Sequence, residues 1–285
     1  MATPFTNQAT ISYRNCLAAS NVVSGILQDE LTMTKTAISE GYQSCCGITY
    51  AVSIVNSGQT VYTGLTLTDD LGAYTLAGGT SVTPLTYADG SVVMYQNGVL
   101  TTVPTVAGED PLTLTSITVP AGGNVLILYR ATPNQYAPLG TDAVITNTAA
   151  LTGAGVDNVT ASATTNAATG PSLTILKAVD PAVVTPDDTV TYTFTIQNYG
   201  PEATVATDNV VLTDVFDLIL TLTDVTLDGA ALISGLDYTY DEATGEFTTT
   251  IGTITVPAAA YTQNATTGEW TVIPGVTTLV VTGTV

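Results

Sequence analysis

The chain has 285 residues, 45% of them hydrophobic, which is enough for two domains with cores and argues against disorder. Its formal charge is −20, with four basic residues and no histidine, so the surface repels nucleic acid and anionic lipid and lacks the commonest general base and metal ligand. A nucleic-acid partner is thereby excluded, and most hydrolase and zinc chemistries have no residues to use, so no enzymatic substrate, metal or cofactor is expected.

Thr, Val, Ala, Gly and Tyr are abundant and helix formers scarce, which predicts an all-β fold of strands joined by Gly, Pro, Asn and Asp turns. No run approaches the roughly 20 apolar residues of a membrane span, so no membrane insertion is expected. Met1 to Asn7 lacks the basic start and apolar core of a signal peptide, so the expectation is a leader already removed or another exit, such as lysis of a spore mother cell.

The first predicted element is a hairpin, Phe5 to Tyr13 and Val22 to Leu27, with Arg14 to Asn21 as its connection. Phe5-Thr-Asn-Gln-Ala9 matches Ile145-Thr-Asn-Thr-Ala149, with Ile11 over Leu151. The inner copy closes a repeat, whereas the outer copy precedes every repeat. Residues 1–30 are therefore read as donor strands and connector, with Phe5, Asn7, Ala9, Ile11 and Tyr13 on the strand to be inserted.

The first repeat, residues 31–170, runs through Leu31-Thr-Met-Thr-Lys35, Ile48 to Asn56-Ser-Gly58, Leu65-Thr-Leu-Thr-Asp69, a Val119-Pro-Ala-Gly122 turn, Val125 to Tyr129, and closing strands Ala143 to Thr152 and Val159 to Thr165. Cys45 and Cys46 interrupt it in a loop, and with Cys16 they make an odd number. Three soft ligands are one short of a metal site, so these cysteines are either inert thiols or at least one of them cross-links between molecules. Pairs such as Asp187-Asp188 lack the spacing of a calcium loop and read as solvated turns.

The second repeat, residues 171–285, begins with Leu173 to Lys177 and Val190 to Asn198-Tyr-Gly200 at a constant separation of 142 residues, the distance from Lys35 to Lys177 and from Asn56 to Asn198. Val210 to Asp214 follows, Ile273-Pro-Gly275 aligns with the Val119 turn, and Leu279 to Gly283 lies over Val125 to Tyr129. On that alignment Ala131 falls on Val285, and the closing strands have no counterpart. The second sandwich is then open, with a bare sheet edge and a strip of core. The N-terminal hairpin sits at the far end of the first repeat, beyond links too short to fold back, so it is expected to fill the open sandwich of a neighbouring molecule. Such a contact propagates head to tail into a homopolymer.

The two lysines of the chain, Lys35 and Lys177, occupy the same repeat position, and strand alternation turns both toward the core. The same parity turns Asp69, Asp214, Asn147 and Asn7 inward. A buried lysine is pushed toward the neutral amine and a buried carboxyl toward the acid. Beside an Asn carboxamide this is the chemistry of a self-formed isopeptide bond, with Asp69 or Asp214 assisting attack of Lys35 on Asn147, or of Lys177 on the neighbour's Asn7. A buried Lys–Asp ion pair beside an Asn is the reading without a reaction. Asn56 and Asn198 share the inward parity but lie in Asn-x-Gly turn signals, and read as turn residues.

The order Leu-Thr-x-x-Lys, Ile-Thr-Tyr-x-Val-x-Ile-x-Asn-x-Gly, Leu-Thr-Asp, a Pro-Ala-Gly turn and Ile-Thr-Asn-Thr-Ala resembles the tandem repeat domain, of unknown function, of bacterial surface proteins. The resemblance implies immunoglobulin-like sandwiches on a cell surface, some of them cross-linked from Lys to Asn. The expectation is a structural subunit of an extracellular fibre, pilus-like or a spore appendage, on a cell or spore surface with an anchor or tip protein as a further partner. The alternative is an adhesin or cell-surface stalk that acts as a binding module.

Overall fold

The computed structural model describes residues 3–27, 30–39, 41–42, 46–153 and 155–285. The fold is all-β, with two tandem immunoglobulin-like sandwiches preceded by an N-terminal hairpin. In the first sandwich one sheet runs Val99–Thr101, Val93–Gln96, Asn124–Pro133, Ile48–Asn56, Leu31–Ile38, and the other Thr105–Glu109, Leu112–Val119, Tyr62–Asp69, Val144–Gly153, Val156–Asn166. Alternation along the strands is near complete: Leu31, Met33 and Lys35 are buried while Thr32, Thr34 and Thr36 face solvent. The inner faces form one core around Tyr50, Ile54, Leu67, Leu114, Ile127 and Leu151. The hairpin Val144–Gly153/Val156–Asn166 closes this sandwich by pairing with Tyr62–Asp69, Leu151 opposite Leu67 and Ala149 opposite Asp69.

The second sandwich repeats this plan with fewer strands. Its larger sheet is Leu173–Asp180, Thr189–Asn198, Gly275–Thr284, Thr221–Leu227, Ala230–Ala231, and the smaller is Thr213–Val215, Glu246–Thr249, Tyr238–Asp241. Phe194, Phe216, Phe247, Leu279 and Val281 fill the core between them. Thr213–Val215 pairs on one side only, and among the described residues no strand takes its other edge, where the first sandwich carries its closing hairpin.

Strand pairing corrects the late part of the sequence alignment. Ile48 lies opposite Ala131, and its counterpart Val190 lies opposite Gly283, so Ala131 corresponds to Gly283 and Tyr129 to Val281. The sequence alignment was off by two, a slip that keeps every residue on its face and so leaves the inward pattern intact. The proline equivalent to Pro120 is Pro257 and not Pro274, because the buried amides of Asn56 and Asn198 donate to the carbonyls of Pro120 and Pro257 respectively. Between Pro257 and Gly275 the second sandwich therefore carries an insertion, the hairpin Ala260–Gln263/Trp270–Ile273. This hairpin docks on the first sandwich: the Trp270 amide donates to the Gln135 carbonyl at 2.9 Å, and Gln263 Nε2 donates to the Tyr74 hydroxyl at 2.8 Å. Gly268 packs against Leu76 and Val82.

The N-terminal hairpin is longer than its sequence suggested. Thr3–Asn7 pairs with Val23–Leu27 and Thr10–Tyr13 with Cys16–Ala19, so the connection is two residues, Arg14 and Asn15, and Cys16 is a strand residue. Both turn residues have positive φ, 45° and 66°, the geometry that matches the twist of a two-residue hairpin. Phe5, Ile11 and Tyr13 are 56%, 65% and 59% exposed.

Candidate functional site

The residues singled out in the first sandwich meet in its core. Lys35 Nζ donates to Asp69 Oδ2 at 2.6 Å, and both side chains are 0% exposed. The same carboxylate oxygen accepts the Tyr129 hydroxyl at 2.5 Å, and that hydroxyl accepts Asn147 Nδ2 at 3.3 Å. Asn147 Oδ1 is buried without a hydrogen-bond partner, as is the hydroxyl of Tyr50. The Tyr50 ring lies 5.5 Å from that of Tyr129 and carries Lys35 Nζ 5.0 Å from its centroid. Burial lowers the Lys35 pKa, opposed by the Asp69 charge. Burial raises Tyr129 well above its ordinary range and pushes Tyr50 up to about 12, so both phenols hold their protons.

Four strands build this cluster, each by the same alternation that places its apolar neighbours. Lys35 shares a face with Leu31 and Met33, Asp69 with Leu65 and Leu67, Tyr129 with Val125 and Ile127, and Asn147 with Ile145 and Ala149. Sequence reasoning found the lysine, carboxylate and amide and missed Tyr129 and Tyr50. Their signal was available: a phenol on an otherwise apolar inward face needs a partner for its hydroxyl.

Asn56 and Asn198 are turn residues. Asn56 Nδ2 donates to Thr60 and Pro120 carbonyls, and its Oδ1 accepts the Gly58 amide; Asn198 makes the same bonds to Glu202, Pro257 and Gly200. Asn56 lies opposite Leu31, four residues along from Lys35, or about 13 Å at the rise of a strand. It is out of reach of the amine.

The equivalent place in the second sandwich is open. Lys177 and Asp214 form an ion pair, but their side chains are 40% and 19% exposed. Three rings, Tyr192, Phe194 and Phe216, lie within 4.6 to 5.4 Å of Lys177 Nζ. Leu173 and Ile175 are 38% and 54% exposed, where Leu31 and Met33 are 6% and 8%. A groove of about 320 Å³ runs beside them, lined also by Ile196, Val210, Leu212 and Ile254. Each of these six residues corresponds to a core residue of the first sandwich. The amide that would complete the cluster is missing there, and Asn7 lies far along the same chain on the exposed hairpin.

That hairpin matches the closing hairpin at both ends, while the pairs between, such as Ile11 with Ala18 against Leu151 with Val159, are offset by one residue. Phe5 faces Gly25 as Ile145 faces Thr165, Asn7 faces Val23 as Asn147 faces Ala163, and Tyr13 faces Cys16 as Gly153 faces Val156. Both turn after the same number of residues. Ala9 and Ile11 take the places of Ala149 and Leu151. The two hairpins differ in where the extra residue of the second strand sits, near Ser20 to Val22 in one and near Asp157 to Asn158 in the other.

Of the cysteines, Cys16 and Cys46 are exposed and no disulfide joins them, while Cys45 lies outside the described residues. Among the described residues no helix is long and apolar enough to cross a membrane.

No protein-family model matches the sequence, and no curated protein does. Among solved structures, the chain is similar to a variant of BcpA, the major pilin subunit of Bacillus cereus, with 11% identity over 94% of this chain and 73% of that one and a TM-score of 0.37. It is similar to the C-terminal fragment of the major pilin GBS80 of Streptococcus agalactiae, with 15% identity over 86% of both chains and a TM-score of 0.35. Similarity to the collagen adhesin of S. aureus covers 53% of this chain at 10% identity and a TM-score of 0.30, and the chain spans 55% of that adhesin. A transglutaminase of red sea bream matches with 12% identity over 87% of this chain and 31% of that one and a TM-score of 0.32. Pilin and adhesin domains are thus among the proteins similar to this chain.

Proposed function

We propose that this chain is a structural subunit of an extracellular bacterial fibre that polymerises head to tail. The N-terminal hairpin of one copy completes the second sandwich of the next. The observation that carries this reading is the match in length, and in strand pairing at both ends, between the exposed hairpin and the hairpin that closes the first sandwich. The groove on the second sandwich is bounded by the residues that such a hairpin covers in the first. Phe5, Ile11, Val23, Leu173 and Ile175 are each roughly half exposed, so covering them contributes roughly 4–8 kcal/mol before ordering costs. Main-chain bonds to the bare edge of Thr213–Val215 add to this.

Docking in that register brings Asn7 to Lys177 and Asp214 as Asn147 is brought to Lys35 and Asp69. Isopeptide bonds from Lys35 to Asn147 and from Lys177 to the neighbour's Asn7 then lock sandwich and junction. The chain is a building material, and its chemistry is confined to itself.

The test is deletion of residues 1–28. The shortened chain should remain folded and form no ordered fibre under negative-stain microscopy, and a peptide of residues 3–27 should cap the growing ends of the full chain. Ordered fibres from the shortened chain would end the donor-strand reading.

A further inference from the structure

We propose that the Tyr129 hydroxyl is a catalytic proton relay for bond formation between Lys35 and Asn147, and that Val281 in its place makes the junction site the slower of the two. The inference rests on the covalent reading of Lys35 and Asn147 given above. Its own basis is the hydrogen-bond chain. Among the described residues, Tyr129 is the one group that hydrogen-bonds both the carboxylate paired with the lysine and Nδ2 of Asn147, the nitrogen that has to leave.

Amide nitrogen leaves only after it gains a proton, and the proton available is the one that Lys35 must lose before it can attack. Lys35 and Asp69 are in contact, and Asp69 and Tyr129 are in contact, but no hydrogen bond joins Asp69 to the Asn147 amide. Lys35 gives a proton to Asp69, and the neutral Nζ attacks Cγ of Asn147. The Tyr129 hydroxyl then gives its proton to Nδ2 and takes the one held by Asp69. As the bond from Cγ to Nδ2 breaks, Nζ gives a second proton to Asp69, and the departing ammonia carries it off as ammonium. One lysine ammonium and one carboxamide become one secondary amide and one ammonium ion, and Asp69 and Tyr129 end as they began. No oxidant or other reactant is needed. The phenol is protonated before and after the step, in keeping with its raised pKa.

The second sandwich supplies a built-in comparison. Val281 lies opposite Tyr192 as Tyr129 lies opposite Tyr50, so the strand is in register and the phenol, ring and hydroxyl together, is replaced by an isopropyl group. A junction closed by Asn7 would have the lysine and carboxylate and no relay.

The experiment is a time course of cell-free synthesis of the full chain, read by intact mass for the loss of one ammonia and by peptide mapping for the linked residues. The wild-type chain should form the Lys35–Asn147 bond, and Tyr129→Phe should form it about 10²-fold more slowly, the usual worth of a positioned acid–base group. Its circular dichroism and protease resistance should stay those of a folded chain, which separates relay from scaffold. Val281→Tyr should accelerate the Lys177–Asn7 bond in assembling chains. A folded Tyr129→Phe chain that reacts at the wild-type rate overturns the relay and leaves the covalent reading intact. A wild-type chain that never loses ammonia at this site overturns the covalent reading itself. Should Tyr129→Phe fail to fold, Val281→Tyr decides alone, and an unchanged junction rate then counts against the relay.

Discussion

Truncating Ile11 separates the role of the N-terminal hairpin in the free chain from its role in a junction. In the free chain Ile11 is 65% exposed, so Ile11→Ala should change the stability of the subunit by less than about 0.5 kcal/mol. Its counterpart Leu151 is 0% exposed and lies opposite Leu67 in the first sandwich. Removing a side chain from such a place costs about 2–5 kcal/mol. If Ile11 enters the equivalent place opposite Leu212, Ile11→Ala should weaken docking by about 30- to 4,000-fold at about 1.4 kcal/mol per tenfold. The assay is calorimetric titration of a peptide of residues 3–27, wild type or Ile11→Ala, into a chain that begins at residue 29. Thr10→Ala, one residue along and on the opposite face, is the matched control and should bind as wild type. Equal affinities for the wild-type and Ile11→Ala peptides would refute the register, and with it the placement of Asn7 beside Lys177.

Two further outcomes follow from the same geometry. Cys16 takes the place of Val156, which packs against the first core, so an assembled chain should shield its thiol, and maleimide labelling should slow at least about tenfold relative to free chains; unchanged labelling in ordered fibres would contradict this. In an Asn147→Ala chain, which cannot form the internal bond, Lys35 keeps titrating with a pKa lowered by burial from 10.5. Between that lowered value and 10.5 the unfolded chain holds a proton that the folded chain lacks, so stability should rise with pH. Tyr129 acts in the opposite sense above its unfolded value of 10.0, so urea midpoints are best compared below that pH. The rise should vanish in Lys35→Met, Asn147→Ala, and a flat profile in the Asn147→Ala parent would rule out a buried, desolvated amine.

The strands, their faces and the Lys–Asp pairing were legible because period-two alternation is dense here and the chain has two lysines, placed alike. The same alternation hid other features. In a Thr- and Val-rich strand a shift of two residues preserves every inward contact, so nothing local distinguished Val281 from Gly283 as the partner of Tyr129. The Pro274-Gly275 pair imitated the turn that Pro257 makes, and an inserted hairpin was absorbed into the alignment. Arg14-Asn15 carries no glycine, so the two-residue turn was read as a longer connection, although Asn tolerates the left-handed conformation it adopts there. The Tyr129 contacts, to Asp69 sixty residues away and to Asn147 on the next strand, depend on tertiary placement that alternation alone does not supply.

The inserted hairpin, Ala260–Gln263/Trp270–Ile273, bears on mechanics. It ties the second sandwich to the first at Gln135 and Tyr74, beside the covalent link, so the joint inside a chain is held at two points. Where one chain would meet the next, the corresponding position is the short turn from Pro120 to Gly123, which has no reach of its own. A fibre of such subunits alternates a braced joint with a single-tether joint. Bending then concentrates at every second joint, and the stiff segment is a pair of sandwiches. Replacing residues 258–275 with the tight turn of the first sandwich should halve the length of that stiff segment and shorten the persistence length measured from electron micrographs.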